Sequence, residues 1–368
     1  MARRIVFGLL LIAILQSCVD PPVEAPSSDK SPAGPGAIIL CEGIWGQENA
    51  SITRLDYASG RTINNYFYIN NQSLLGDIAQ DALIIGDTCY VSLFSAGVIR
   101  AFRLSTGKEC GHILLGSEYG PRYMAYVNDT LAFFSDQKKN AVIGFNHRSL
   151  ELSGIEIYSG PQPEEIVYHE GFLYTANSAF GDINKNHPEA ETIAVIDIDR
   201  KERIRLLEAD KNVSELEINP YTNRLYAAWY NLPSLVEMDS SGGIIEYSLD
   251  NYEIIRSLRC SPASMQIDPE ENSLSFISGS FRGVEGVSRI DLNDDDLYPG
   301  LIIKNPHKQE IWKSLAINSA GDIYIGNAMD YIADGEILLY RNNKFSHYSD
   351  KFASGIIPNK ILFFNIGN

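Results

Sequence analysis

The amino-acid sequence predicts an all-β protein, a seven-bladed β-propeller whose closing blade is assembled from both ends of the chain. Three observations carry this prediction. A four-strand unit recurs six times at intervals of about 42–52 residues. A seventh unit near the N-terminus lacks its innermost strand. The C-terminal segment supplies one. Composition agrees: the 368 residues include 20 Tyr and 29 Gly but only 5 Met, a balance that suits short strands and turns. With 45% hydrophobic and 21% charged residues the chain buries a sizeable core.

The N-terminal residues read as an address. Arg3 and Arg4 precede an apolar run from Ile5 to Leu15, too short to span a bilayer as a helix. Leu15-Gln16-Ser17-Cys18 follows and resembles a bacterial lipobox, so residues 1–17 are expected to be a lipoprotein signal peptide. Cleavage before Cys18 leaves its thiol to carry a diacylglycerol. Acyl chains at about 0.8 kcal/mol per buried methylene then hold the protein on a membrane. The alternative is an ordinary secretory signal with a chance cysteine. Residues 18–36, rich in Pro and Ser, form an acylated start and a stiff, solvated tether. The propeller is expected over 37–368.

The blades follow in order. Second strands are Thr88–Ser92, Leu131–Ser135, Phe172–Asn177, Leu225–Trp229, Leu274–Ser278 and Ile323–Asn327. Third strands are Val98–Leu104, Ala141–Phe145, Ile193–Ile198, Ile244–Leu249, Val287–Leu292 and Ile337–Tyr340. Fourth strands include Arg203–Leu207 and Ile254–Leu258, reached through turns such as Ser105-Thr106-Gly107-Lys108. Ile38–Glu42, Ser51–Tyr57 and Thr62–Tyr68 give three strands of the first blade. Its missing innermost strand is Pro358–Phe364, which matches Pro121–Val127 in pattern. Joining the termini in one sheet removes the free edges that would template aggregation. Cys41, Cys89, Cys110 and Cys260 fit neither a zinc pattern nor a disulfide framework and are read as structural.

Loops between second and third strands emerge on the same face as the blade-to-blade connections. That face carries the long, irregular loops, with Trp45, Phe180, Trp229, Tyr230, Phe281, Arg282 and Tyr331 in them and Tyr119, Arg122, Glu164 and Trp312 at blade starts. Aromatic rings interleaved with amides and charges suit a large, partly apolar, polar-rimmed ligand. Taken singly, Trp45, Trp229 and Trp312 also fit as plugs between neighbouring blades. Arg122 and Glu164 hold equivalent places in adjacent blades, where they can pair or line the central channel.

Charge and motifs exclude several function classes. Lys+Arg is 30 against Asp+Glu of 47, a net charge of −17, and signal removal takes away Arg3 and Arg4 as well. So acidic a surface repels phosphate backbones and excludes nucleic-acid binding. There is no Gly-x-Ser-x-Gly elbow, His-Glu-x-x-His helix or phosphate-binding glycine loop. The six histidines fall at different points of the repeat, and Asp294-Asp295-Asp296 lacks the alternating ligands of a calcium loop. The sequence calls for no cofactor, no metal and no enzymatic activity.

Cys41-Glu42-Gly43-Ile44-Trp45-Gly46-Gln47-Glu48-Asn49-Ala50-Ser51 resembles the Asn-Glu-Gly-x-Trp-Gly-x-x-Asn-Ala-Ser opening of YncE-like, surface-layer-type propeller lipoproteins of Bacteroidetes. Leu75–Asp81, Gly120–Ala125 and Pro163–Ile166 also resemble its blade starts. The chain departs from the pattern at Cys41, where Asn is usual, and in the long loops of the fourth and fifth blades. The resemblance implies a seven-bladed, lipid-anchored protein on the outer surface of the outer membrane. It further implies capture of a nutrient, cobalamin or a related corrinoid, for a TonB-dependent outer-membrane transporter. Two alternatives stay open: an adhesion or protein-interaction propeller, and a propeller hydrolase or lactonase using channel acids and a metal.

Overall fold

A computed structural model describes residues 34–179, 186–230, 242–280, 283–307, 310–342 and 344–365. Among the described residues, seven four-stranded antiparallel sheets are arranged in a ring, with one short helix. The chain opens with β1 (Gly36–Cys41), β2 (Ser51–Asp56), β3 (Arg61–Ile63) and α1 (Tyr66–Asn71). Six blades follow, at residues 79–114, 121–158, 163–208, 215–259, 262–304 and 312–356. Their innermost strands are β4 (Ala79–Ile85), β8 (Pro121–Tyr126), β12 (Pro163–His169), β16 (Glu215–Asn219), β20 (Pro262–Asp268) and β24 (Trp312–Ile317). The last strand, β28 (Pro358–Phe364), returns to the first sheet, whose order is β28-β1-β2-β3. Each innermost strand packs on the next, and β28 touches both β24 and β4, so the ring is closed.

The predicted composite blade is therefore present. β28 pairs antiparallel with β1, Ile39 opposite Ile361 and Ala37 opposite Phe363. Its expected outer strand at Thr62–Tyr68 is corrected: pairing stops at Ile63 and Tyr66–Asn71 is helical. Asn65 takes a left-handed backbone (φ 55) that ends the strand and starts the helix. The turn lets Tyr66 and Phe67 bury toward the second blade, where the Tyr66 hydroxyl donates to Leu104 O at 3.0 Å.

The apolar runs do not alternate with polar residues because both sheet faces are buried. Successive side chains of a strand point to opposite faces. In β1, Ile38 and Leu40 join a cluster with the second blade, while Ala37, Ile39 and Cys41 join one with the seventh. Seven such clusters fill the seven gaps between blades. Burial pushes the Cys41 thiol up to about 11 and that of Cys89 higher still, which keeps both in the unreactive thiol form. Cys110 is exposed on an outer strand.

Burial separates two isoleucines sharply. Ile39→Ala, in the gap beside the closing strand, is expected to cost roughly 2–5 kcal/mol. Ile254→Ala, on an outer strand at 51% exposure, is expected to stay within about 0.5 kcal/mol. Urea denaturation of both variants checks the difference, and equal losses would contradict a core seated between blades.

Candidate functional site

The turns before the innermost strands prepare the site. Ile78, Gln162, Asn212 and Ile357, just before four of these strands, all have positive φ. Every innermost strand except β16 then starts with a bulge or register shift, seen for example between Pro121 and Met124, Pro163 and Ile166, and Ala263 and Met265. The bulge frees the residues after each start from strict alternation, so consecutive side chains reach the ring axis. The first positions give Gln80, Arg122, Glu164, Ser214, Ala263, Lys313 and Asn359. The second positions give Asp81, Tyr123, Glu165, Glu215, Ser264, Ser314 and Lys360.

Much of this polarity closes the ring. Asp81 Oδ2 accepts from Met124 N (2.8 Å), Glu165 Oε2 from Leu216 N (2.8 Å), and Glu215 from Ser264 N (2.8 Å) and Met265 N (2.7 Å). Ser264 Oγ accepts from Leu315 N (2.8 Å), Ser135 Oγ donates to Glu164 O, and Ser314 Oγ donates to Pro358 O (2.7 Å). Asn359 Nδ2 donates to Gln80 O (2.9 Å) beside the Lys360–Asp81 ion pair. Each of the seven seams thus carries a side-chain-to-backbone bond. Such bonds satisfy groups that would be costly to bury alone.

Above these staples opens a cavity of about 1550 Å³ lined by residues of all seven blades. Arg122 Nε and Nη2 donate to Glu164 Oε2 at 2.9 and 2.6 Å, Arg122 Nη1 bonds Gln80, and Gln137 Nε2 donates to Glu164 Oε1. Burial raises the Glu164 carboxyl although Arg122 pulls it back. Burial also raises Glu165 well above the carboxylate range, with Lys360 opposing and Glu215 adding to the rise. Glu217, deeper in the channel, is pushed up to about 8 by burial and then by Glu215. Among the described residues no three His, Cys, Asp or Glu side chains are grouped to hold a metal ion.

Of the residues singled out in the sequence, Trp45, Arg122, Glu164, Tyr230, Trp312 and Tyr331 line this one cavity. Trp45 is 66% exposed and leans on Phe94, ring centroids 5.9 Å apart. Trp312 is buried in the core between the sixth and seventh blades and its Nε1 donates to Glu310 Oε2 at 2.9 Å. Tyr119 lies outside the cavity, in the gap between the second and third blades with Lys139 Nζ 4.5 Å over its ring. Trp229, 6% exposed, belongs to the core between the fourth and fifth blades. Phe180, Phe281, Arg282 and Cys18 lie outside the described residues. Sequence reasoning missed Gln80, Phe94, Glu165, Glu215, Glu217, Lys313 and Lys360. Prolines at 121, 163, 262 and 358 were the available signal, because the residues that follow them share one register.

The Glu217 carboxyl titrates at about 8 in the fold against an ordinary 4.5, so between these values the folded chain binds the extra proton. Its contribution to stability therefore falls as pH rises through that window, by at most about 1.4 kcal/mol per pH unit. Glu217→Gln is expected to remove this decline and to exceed the parent in stability above pH 8. Urea midpoints from pH 4.5 to 9 check it, and parallel profiles would contradict it.

No family model matches the sequence, and no curated protein does. Solved structures share the architecture. Hydrazine synthase of Kuenenia stuttgartiensis matches over 76% of this chain and 92% of its own, at 13% identity and a TM-score of 0.61. A quinonprotein alcohol dehydrogenase-like protein of Bacteroides thetaiotaomicron (BT1487) matches over 89% of this chain and 78% of its own, at 12% identity and a TM-score of 0.61. A chain of the mitotic checkpoint complex covers 88% of this chain and 95% of its own, at 10% identity and a TM-score of 0.56. Likeness at this level is one of fold alone. Proteins so different share the propeller that the architecture does not assign an activity. The chain is a seven-bladed β-propeller with a polar channel that opens into a wide, aromatic-bearing mouth.

Proposed function

We propose that this chain is a lipid-anchored, cell-surface binding protein whose mouth captures a large, partly apolar nutrient without transforming it. The observation that carries the reading is the cavity. At about 1550 Å³ it exceeds the roughly 300–1,000 Å³ of ordinary small-molecule clefts. Its lining mixes exposed rings with amides and charges held in place by hydrogen bonds. Such a surface grips a broad ligand at low entropic cost.

A corrinoid such as cobalamin is the class we favour, with a TonB-dependent outer-membrane transporter as the receiving partner. The support is the likeness of the Cys41–Ser51 segment to YncE-like lipoproteins, together with the lipobox ending at Cys18. A protein-docking role is the second reading. Exposed Trp45, Leu74, Met329, Tyr331 and Ile332, all in loops between second and third strands or in a blade-to-blade connection, favour it.

The ring closes entirely within residues 36–364, so a chain starting at residue 19 contains all of it. Titration of that chain with cyanocobalamin, followed by calorimetry and absorbance, is expected to show saturable binding of one ligand per chain. Ala263 is an exposed, small residue of the lining, and Ala263→Trp is expected to weaken binding more than about tenfold by filling the space. No heat and no spectral change with cyanocobalamin and cobinamide would overturn the corrinoid reading.

A further inference from the structure

Trp45 presents an unusual combination: a large ring, mostly exposed, on a loop with little freedom to move. Its loop leaves β1 through Gly43, whose φ of +81 and whose position, with a hypothetical Cβ only 2.6 Å from Ala50 N, exclude a side chain. Ile44 N donates to Asn49 Oδ1 at 2.7 Å, Gln47 N to Ile44 O at 3.0 Å, and Gly46 N to Asp77 Oδ2 at 2.9 Å. Asp77 belongs to the connection into the second blade, and the other oxygen of its carboxylate is buried without a hydrogen bond. The loop is tied further by Ala79 N to Glu42 O (3.1 Å) and Ala50 N to Gly76 O (3.3 Å). The ring itself rests on Phe94, which Arg122 and Lys138 approach at 5.4 and 5.6 Å from its centroid.

The neighbouring blade repeats the device. Tyr331 is 43% exposed on a turn in which Asp330 Oδ1 accepts from Ile332 N (2.9 Å) and Ala333 N (2.7 Å). These backbone donors hold the Asp330 carboxyl below its ordinary range. Among the aromatic residues of the described lining, Trp45 and Tyr331 alone are exposed; Phe94, Tyr123, Tyr230, Trp312 and Phe363 are half-buried or buried. The Trp45 ring is therefore seated, and the turn that carries Tyr331 is held, before any ligand arrives, and an apolar face left in water gains most when another flat face covers it.

We infer that Trp45 is a preformed stacking platform for a flat, conjugated ring system, flanked by Tyr331, and that Asn49 and Asp77 are its positioning residues. The inference rests on the reading of the mouth as a capture site and narrows the class of ligand that the site takes. A ligand lacking a flat face makes no use of the platform.

The test compares acridine, a flat tricycle, with 1-adamantanol, an apolar but globular molecule, by calorimetry on the chain starting at residue 19. Acridine is expected to bind the more tightly. Trp45→Ala is expected to weaken acridine roughly tenfold and to leave adamantanol unchanged. Asn49→Ala and Asp77→Ala are expected to weaken acridine similarly while raising acrylamide quenching of the Trp45 emission. Asp77→Asn, which keeps an acceptor for Gly46 N, is expected to restore acridine binding to within about threefold of the parent. Failure of acridine to bind, indifference of acridine to Trp45→Ala, or equal losses for both probes would overturn the inference. A cyanocobalamin titration separates it from the capture reading. Cyanocobalamin binding that ignores Trp45→Ala sinks the platform and leaves capture standing. Acridine stacking through Trp45 with no corrinoid binding does the reverse for the corrinoid.

Discussion

Closure of the ring by its last strand is the constraint on which every other feature depends. A blade has two apolar faces, and only a neighbour on each side buries both. An open row of seven blades would leave two such faces, and the first sheet would lack its innermost strand. β28 resolves both problems. It hydrogen-bonds along β1, covers the gap between the seventh and first blades with Ile361 and Phe363, and reaches β4 through Asn359 and Lys360. The residues farthest apart in sequence thus decide whether the channel and its mouth exist at all.

The channel shows how one set of polar side chains serves two ends. Deep in the ring, Asp81, Glu165 and Glu215 direct carboxylate oxygens to backbone amides of the next blade. They are structural acids, and the rise in the carboxyls of Glu165, Glu215 and Glu217 follows from crowding them in a desolvated space. Nearer the opening, the Gln80–Arg122–Glu164–Gln137 chain is linked by hydrogen bonds among its own members across the second to fourth blades. The fifth and sixth blades instead contribute small residues such as Ser214, Ala263 and Gly279, which leaves the space there for an occupant. The mouth is therefore lopsided: a fixed polar wall on one side, room on the other, and Trp45 and Tyr331 between them.

The repeat was legible because second and third strands are buried on both faces, which writes them as compact apolar runs such as Leu131–Ser135 and Ile323–Asn327. The composite blade was legible from a deficit at one end matched by a surplus at the other. The outer strand of the first blade was misread because Tyr66, Phe67 and Tyr68 have high strand propensity. Only the left-handed Asn65 and the neighbouring blade turn them into a helix. Innermost strands hid their function for a different reason. Charges at Glu165, Glu215, Glu217 and Lys360 look like solvated positions until the ring places them on its axis. The tryptophans show the same limit within one residue type. Trp229 and Trp45 both stand where a strand meets a loop. Trp229, however, shares parity with Leu225 and Ala227 on a strand that runs on to Tyr230, and so points into the core between blades. Trp45 lies beyond the end of β1, on a loop whose direction is set by Gly43, Asn49 and Asp77. Sequence gives both residues the same local appearance; the length of the preceding strand and long-range hydrogen bonds separate them.

Amide hydrogen exchange along β28 tests the central claim most directly. If the last strand locks the ring, the alternate β28 amides that donate to β1 exchange only through global unfolding, with the same denaturant dependence as those of Ile38 to Leu40 in β1. Fast, denaturant-independent exchange of those β1-bonded amides of β28 while β1 stays protected would show that the ring holds without its tail, and would contradict closure by the last strand.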